Sequence, residues 1–518
     1  MDRNLLLAII LSIGILIGYQ YLYTIFYPQE PKQTETQKVE TPQEKATQTE
    51  KKAETQKDTK VETKREISIT PSTEQGRKII VENDVMKLEM TTRGATILNV
   101  ELKKYKDTSG NNIILKSDPI LPPFVIGSDE NFNLSQVNFV SKAKDFIKIE
   151  QNAKAEVIFE FAKEGIIIKR TFRFTGDNYA IDLTDEIDGL NTYWISLGKE
   201  FGIYEKVSEV HYGPVVLKDA ERLEFDLGKV KEPKYFKEGL KWIAQEDKYF
   251  FSAIVPKGKV EEAKIWDKAE TTLSALKMPS GINNYLIYTG PKEYDSLEKV
   301  GYGLEHIVDF GFFSFLARPL FWVLKIFYSF TYNYGVAIIL LTILVRIPFI
   351  PIINSGQKSM KKIQDMQPRM AEIKEKYKND PQKMQKELME LYKTHKINPM
   401  SGCLPILLQI PVFFALYKVL LIAIELRNAP FMLWITDLSA KDPYYILPII
   451  MGATMVIQQK MTPSAMDPMQ QKIMMLMPVV FTFLFLTFPS GLVLYWLVNN
   501  ILSIAQQYYI NQKIKKES

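Results

Sequence analysis

A chain of 518 residues is too long for one compact domain, and its composition is near average, with 46% hydrophobic and 24% charged residues. The net charge of +5 hides a partition: residues 29–66 are mostly Lys, Glu, Thr and Gln, whereas residues 402–512 are mostly apolar. A single cysteine, Cys403, excludes an intramolecular disulfide, and no P-loop, HExxH, GxSxG or CxxC motif is present.

Residues 1–27 open with Arg3 and continue as an apolar and aromatic run over 5–27. A bilayer core takes about 20 helical residues, so this run predicts an uncleaved transmembrane anchor, with a cleaved signal peptide as the alternative. Tyr19, Tyr21, Tyr23 and Tyr27 suit an interfacial aromatic belt. Residues 28–77 hold too little apolar surface to offset their ordering entropy and read as a disordered tether.

Residues 78–303 alternate apolar and polar positions around glycine-containing turns, as in "RKIIVENDVMKLEMTTRGATILNV" and "AEVIFEFAKEGIIIKRTFRFTGDNYAIDLTDEI". This predicts a large antiparallel β-sandwich. Its one histidine, His211, reads as an ordinary loop or strand residue.

Residues 304–333 are dense in aromatics, interrupted by Arg318 and Lys325, which predicts an amphipathic helix lying in the interface. A short extra span is the alternative. Five apolar helices follow over 334–354, 401–425, 444–460, 472–489 and 490–512. With the anchor they make six transmembrane helices. The lysine-rich segment 355–400, the loop 461–471 and the basic tail 513–518 belong inside, whereas the loop 426–443 fits outside. That places the N-terminus in the cytoplasm and the β-domain on the far side of the membrane.

Within 355–400, Ile363, Met366, Met370, Ile373 and Tyr377 follow a 3-4-3-4 spacing, answered by Met384, Leu388 and Leu391. Asp380 and Pro381 supply an N-cap and a first-turn proline between them. A cytoplasmic helical hairpin is predicted. Eleven Lys and Arg against six Asp and Glu over 357–396, among them Lys361, Lys362, Arg369 and Lys374, suit anionic lipid or ribosomal RNA.

Arg346 sits inside "TILVRIPFIP", where an arginine costs about 2.5–3.5 kcal/mol on insertion scales. The sequence offers no convincing partner carboxylate at its depth; snorkelling to the cytoplasmic interface is the plain alternative. Thr342 lies one turn away on the same face. Gln409, Gln458, Gln459, Asn500, Ser503 and Gln506 fall at similar depth, while the outer halves of the helices are apolar. Together they predict a wet groove open inward and closed outward, in which an unpaired arginine is tolerated. Pro348 and Pro351 are expected to end or bend the arginine helix.

The segments "TILVRIPFIP", "INPMSGCLPILLQIPVFFALYKVL", "ELRNAPFMLWITDLSAKDPYYILPIIMGATMVIQQKMTP" and "DPMQQKIMMLMPVVFTFLFLTFPSGLVLYWLVNNILSIAQQ" resemble the YidC membrane protein insertase family, densely over residues 305–512. The anchor, tether and β-domain match the arrangement of its Gram-negative members. The resemblance implies a five-helix insertase core around a hydrophilic groove, with Arg346 and Thr342 as groove residues. It implies a client-contacting slide at Gln409, Ile410, Pro411, Leu484 and Phe485, with Tyr495 and Trp496 as the aromatic pair of the last helix; here the second is Trp, which puts in doubt any role needing a tyrosine hydroxyl. It further implies a periplasmic all-β supersandwich domain and a location in the bacterial inner membrane.

The expected function is therefore insertion and folding of nascent membrane proteins, alone or with the Sec translocon. The bilayer and the ribosome are the other expected partners; no catalytic residue, metal or small-molecule cofactor is expected. A small-solute transporter would need paired broken helices or an internal repeat with ion ligands, and neither is found. An intramembrane enzyme would need a nucleophile–base or metal pair, which Arg, Thr, Gln and Asn do not supply. A structural scaffold has no use for a polar interior.

Overall fold

The computed structural model describes residues 75–107, 109–199, 210–268, 271–395, 404–461 and 468–517. All of these belong to one compact unit, Ile67–Ser518. The expected anchor, most of the tether, Cys403 and most of the loop 461–471 lie outside the described residues.

Period-2 burial builds the β-domain. In Ile166–Thr175 the residues Ile166, Ile168, Arg170, Phe172 and Phe174 all point inward. The strand before it, Lys154–Lys163, is joined to it by Glu164-Gly165, both at positive φ (57° and 79°), the geometry of a tight type I′ turn. One sheet has five strands in the order Asn112–Lys116, Thr96–Lys106, Met86–Thr91, Lys78–Glu82, Phe146–Lys148. The other has eleven and is organised around the long pair Ala180–Ser196 and Thr271–Pro291. A single apolar core draws on both sheets. The expected antiparallel sandwich is corrected at one edge, where Lys78–Glu82 pairs in parallel with the three-residue strand Phe146–Lys148.

Arg170 is fully buried in that core. Its Nε donates to Asp185 Oδ1 at 2.8 Å, and its Nη1 donates to the carbonyls of Phe124 (2.7 Å) and Ala95 (3.1 Å). The guanidinium thus ties a β-hairpin to the turn at Ala95 and to the segment at Phe124, which suits a donor fork better than an apolar residue would.

A short helix, α1 (Tyr294–Val300), ends the domain, and α2 (Ser314–Thr331) follows. Ala317, Leu320, Phe321 and Leu324 form the buried face of α2, while Phe315, Trp322 and Phe330 are exposed. Its two cations are not free interfacial charges: Lys325 pairs with Asp295 at 2.5 Å and Arg318 lies 5.9 Å from the centre of the Tyr294 ring, both on α1.

Asn333 caps α3 (Tyr334–Arg346), accepting from the Val336 amide. The helix does not end at its prolines. A 3₁₀ turn, Ile347–Phe349, joins it to α4 (Ile350–Asp365), with Pro348 and Pro351 in the first turns of the two segments, where no amide donor is needed. The continuous helical stretch Tyr334–Asp365 is the one helix among the described residues long and apolar enough to cross a membrane by itself.

Pro368 opens α5 (Gln367–Lys376), and Asp380 caps α6 (Pro381–Thr394) by accepting from the Lys383 amide. Ile363, Met366 and Met370 are buried there against Leu388, Leu391 and Tyr392. The basic side is therefore three helical pieces, not two helices.

The remaining helices are α7 (Leu404–Ile422), α8 (Ile446–Met461), α9 (Pro468–Phe485) and α10 (Ser490–Glu517). The last continues through the expected tail. It packs on α8, α3 and α7, whereas α9 packs on α8. The α8–α9 approach requires a glycine, because a Cβ on Gly452 would sit 2.0 Å from Thr482 Oγ1. The segment 426–443 folds over the ends of α3 and α10: the Ser490 amide donates to the Ala440 carbonyl (2.7 Å) and the Gly491 amide to that of Leu438 (2.9 Å).

Two outcomes follow for the β-domain. Asp185→Ala strands a buried guanidinium and is expected to cost about 3–5 kcal/mol, read from denaturant unfolding of the purified chain. Burial raises the carboxyl of Glu246, but Lys292, Arg222 and His211 outweigh it and hold the group at about 2, below its ordinary 4.5. Because the folded value is depressed, this contribution is complete above about 4.5 and is lost as pH falls towards about 2. Glu246→Gln should flatten the acid limb of the stability–pH curve in that window; an unchanged limb would assign the acid sensitivity elsewhere.

Candidate functional site

Arg346 ends α3 half-buried, and α10 supplies every hydrogen-bond acceptor recorded for it. Its Nη1 donates to Asn499 Oδ1 (2.6 Å) and to the Asn499 carbonyl (3.2 Å); its Nη2 donates to Ser503 Oγ (2.9 Å) and Gln506 Oε1 (3.1 Å). Gln506 in turn donates from Nε2 to Asn354 Oδ1 of α4 at 2.7 Å. Ser503 donates to the Asn499 carbonyl at 2.8 Å. Among the described residues no carboxylate pairs with the guanidinium.

The expected groove residues divide. Arg346 and Ser503 meet directly. Thr342 is 3% exposed and donates back to the Ile338 carbonyl at 2.7 Å, so its hydroxyl is spent within its own helix. Asn500 turns the other way, to Thr454 Oγ1 (3.2 Å) and the Met451 carbonyl (3.4 Å) on α8. Gln409 hydrogen-bonds the buried hydroxyl of Tyr495. The residues missed were Asn499 and Asn354, and Gln506 was noted for its depth alone. Their signal was the i, i+4, i+7 spacing of Asn499, Ser503 and Gln506, which puts the three on one helical face.

The expected slide divides as well. Ile410 and Leu484 are exposed, at 41% and 51%, and Pro411 is half-buried. Phe485 and Tyr495 are not available to a client, being 2% and 3% exposed. Phe485 instead lies 5.2 Å from Trp496 in an aromatic seam. Trp496 also stacks on Phe481 at 5.8 Å and meets Phe413 edge-on at 5.0 Å. Phe414 and Phe483 are exposed on the same two helices and extend the apolar surface.

On the basic helices, Lys362 and Arg369 are exposed and Lys374 is half-buried, while Lys361 pairs with Asp365 at 3.1 Å. Where the β-domain meets the helices, beside Asp309 and Lys418, His211 is more than a plain loop residue: its Nδ1 lies 2.9 Å from Glu246 Oε1. His211, Glu224 and Glu246 bring possible metal ligands within 4.8 Å of one another. Arg222 and Lys292 already bind the Glu246 carboxylate, so a divalent cation would have to displace two cations, and the arrangement is an ion-pair network.

Two family models match the chain: the 60Kd inner membrane protein over residues 326–517 and the YidC periplasmic domain over 78–323. The membrane protein insertase YidC of Geotalea uraniireducens is 41% identical over 542 residues, covering 99% of this chain and 100% of that one. That of Geobacter sulfurreducens is 40% identical over 536 residues, covering 99% of each. A crystal structure of an active YidC insertase with its first transmembrane domain resolved is also similar, at 19% identity and a TM-score of 0.39, covering 84% of this chain and 93% of that one. Two adjoining family models and 40% identity along the whole length place the chain in the YidC family of membrane protein insertases.

Proposed function

We propose that this insertase works through a polar groove between α3, α4 and α10, built around Arg346, in a protein of six spans whose N-terminus and basic helices α5 and α6 lie in the cytoplasm. The observation that carries the reading is a guanidinium among apolar helices held by neutral acceptors only. A client's hydrophilic outer tail enters the groove while its apolar segment lies against the exposed surface of α7 and α9, at Ile410, Phe414, Phe483 and Leu484. The basic face of the cytoplasmic hairpin, including Lys362 and Arg369, receives the ribosome or anionic lipid, and some clients arrive with the Sec translocon.

The magnitudes support this order of events. A carboxylate taken to mid-membrane costs about 2.5–3.5 kcal/mol. An opposite charge about 4 Å away at an effective dielectric near 20 is worth roughly 4 kcal/mol, enough to offset that cost. Hydrophobic burial at about 25 cal/mol per Å² then drives the apolar segment sideways into lipid. The membrane potential contributes about 2.3 kcal/mol per charge per 100 mV for an acidic tail moving outward. No bond is made or broken.

The test is insertion of reporter clients by variants present at equal membrane level. Arg346→Ala should lower insertion of acidic-tailed clients about tenfold, and Arg346→Lys should retain most of it. Normal insertion by Arg346→Ala would sink the role of the groove charge. A photo-crosslinker at position 410 or 484 should capture ribosome-bound nascent chains, and one at the buried position 485 should not; equal capture at 485 would mean that the aromatic seam opens during insertion.

A further inference from the structure

We propose that Asn499, Ser503 and Gln506 are positioning residues that hold both terminal nitrogens of Arg346 on uncharged acceptors, so that its counter-ion is supplied by a client carboxylate and by none of the described residues. The inference rests on the groove reading above and names the groups that set the groove's charge.

Geometry carries it. The three residues fall within about 60° of one another around α10. Two of them are oriented by a second contact: the Gln506 amide nitrogen is occupied by Asn354, which turns its oxygen to the guanidinium. The Ser503 proton is given to the Asn499 carbonyl, leaving a lone pair for Arg346. Asn499 offers both its side-chain oxygen and its carbonyl to one nitrogen. This brace fixes the fork in place and satisfies the donors of its two terminal nitrogens.

The chemistry of the acceptors then decides the role. Asp at position 499 or Glu at position 506 would have nearly the same shape and would bind about twice as strongly, through charge-assisted bonds. Either would also cancel the charge. With amides and a hydroxyl the site keeps its full positive charge at membrane depth. An arriving carboxylate exchanges a neutral hydrogen bond for a charge-assisted one, so it displaces an amide oxygen of the brace without leaving any donor unpaired.

A mere bolt between α3 and α10 predicts the opposite: a carboxylate in the brace would tighten the joint and leave insertion intact. The two are separated with the full-length protein in membranes and one client carried in two forms, with Asp or Asn at the same tail positions. Asn499→Asp and Gln506→Glu should each lower insertion of the Asp-tailed client about tenfold, and change the Asn-tailed client by less than about twofold. Ser503→Thr, which keeps the hydroxyl, should match the parent for both clients. Parental insertion of the Asp-tailed client by both acidic variants overturns the inference. So does an equal loss for both clients at equal protein level, which marks a structural joint. Arg346→Ala, run alongside, reports the groove reading itself. A loss in Arg346→Ala with parental Asn499→Asp and Gln506→Glu refutes the brace and leaves the groove standing; no loss in Arg346→Ala refutes both.

Discussion

A guanidinium placed among apolar helices has to be solvated by something, and in this protein α10 does it. Five N–H groups cannot be left bare in a low-dielectric setting, and water is one solution among several. Here an amide, a backbone carbonyl, a hydroxyl and a second amide, all from α10, occupy the two terminal nitrogens of Arg346. The consequence reaches beyond the site. α3 can end in a charge only because α10 runs alongside it with the right face, and α10 can carry Asn499, Ser503 and Gln506 only because Arg346 and Asn354 meet them. The polar residues that meet at Arg346 on α3, α4 and α10 are mutually required.

The same rule governs the junction with the β-domain. Arg318 and Lys325 lie on an otherwise apolar helix, and both are met by α1. Lys418, on α7, reaches Asp309 at 3.4 Å. Arg427 and Asn428 donate to the Lys106 carbonyl at the end of a β-hairpin. Cations of the helices at this junction are thus bound by α1, by the segment after it and by a β-hairpin. These polar contacts hold orientation at modest energetic cost, and they flank one apolar core that runs from the strands through Leu304, Ile307, Val308 and Phe310 into the helices.

How much of this was legible in the sequence depends on the period of the element. Strands repeat every two residues, so inward and outward positions of the β-domain are readable from alternation, including the Glu164-Gly165 turn. The parallel pairing of Lys78–Glu82 with Phe146–Lys148 was not, because a three-residue strand some 60 positions away leaves no local pattern. Arg170 sat on an inward position of an otherwise apolar strand, a signal that was present and passed over. In the helices, depth was legible and azimuth was not. Neighbouring residues differ by about 100° around the axis. Asn499 and Asn500 share a depth, yet one holds Arg346 and the other faces α8. Leu484 and Phe485 share a depth, yet one is exposed and the other buried. In the nearly uniform apolar stretches of α7 and α9 no polar face marks the rotation, so only packing fixes it, whereas on α10 the i, i+4, i+7 spacing of Asn499, Ser503 and Gln506 marked a face that was passed over.

That packing distinguishes two kinds of joint. α10 is bound to α8 and α3 by backbone approach along its length, with buried hydrogen bonds on both sides. α7 and α9 meet α10 differently, through the rings of Phe413 on α7 and of Phe481 and Phe485 on α9, all three against Trp496 of α10. Opening the first kind of joint would expose amides and a guanidinium to hydrocarbon. Opening the second moves aromatic side chains past one another and trades apolar contact with protein for apolar contact with lipid, a small change in free energy. Rotamer motion is also far quicker than helix separation. The contacts thus set a hydrogen-bonded polar wall at Arg346 beside an aromatic seam whose opening costs less.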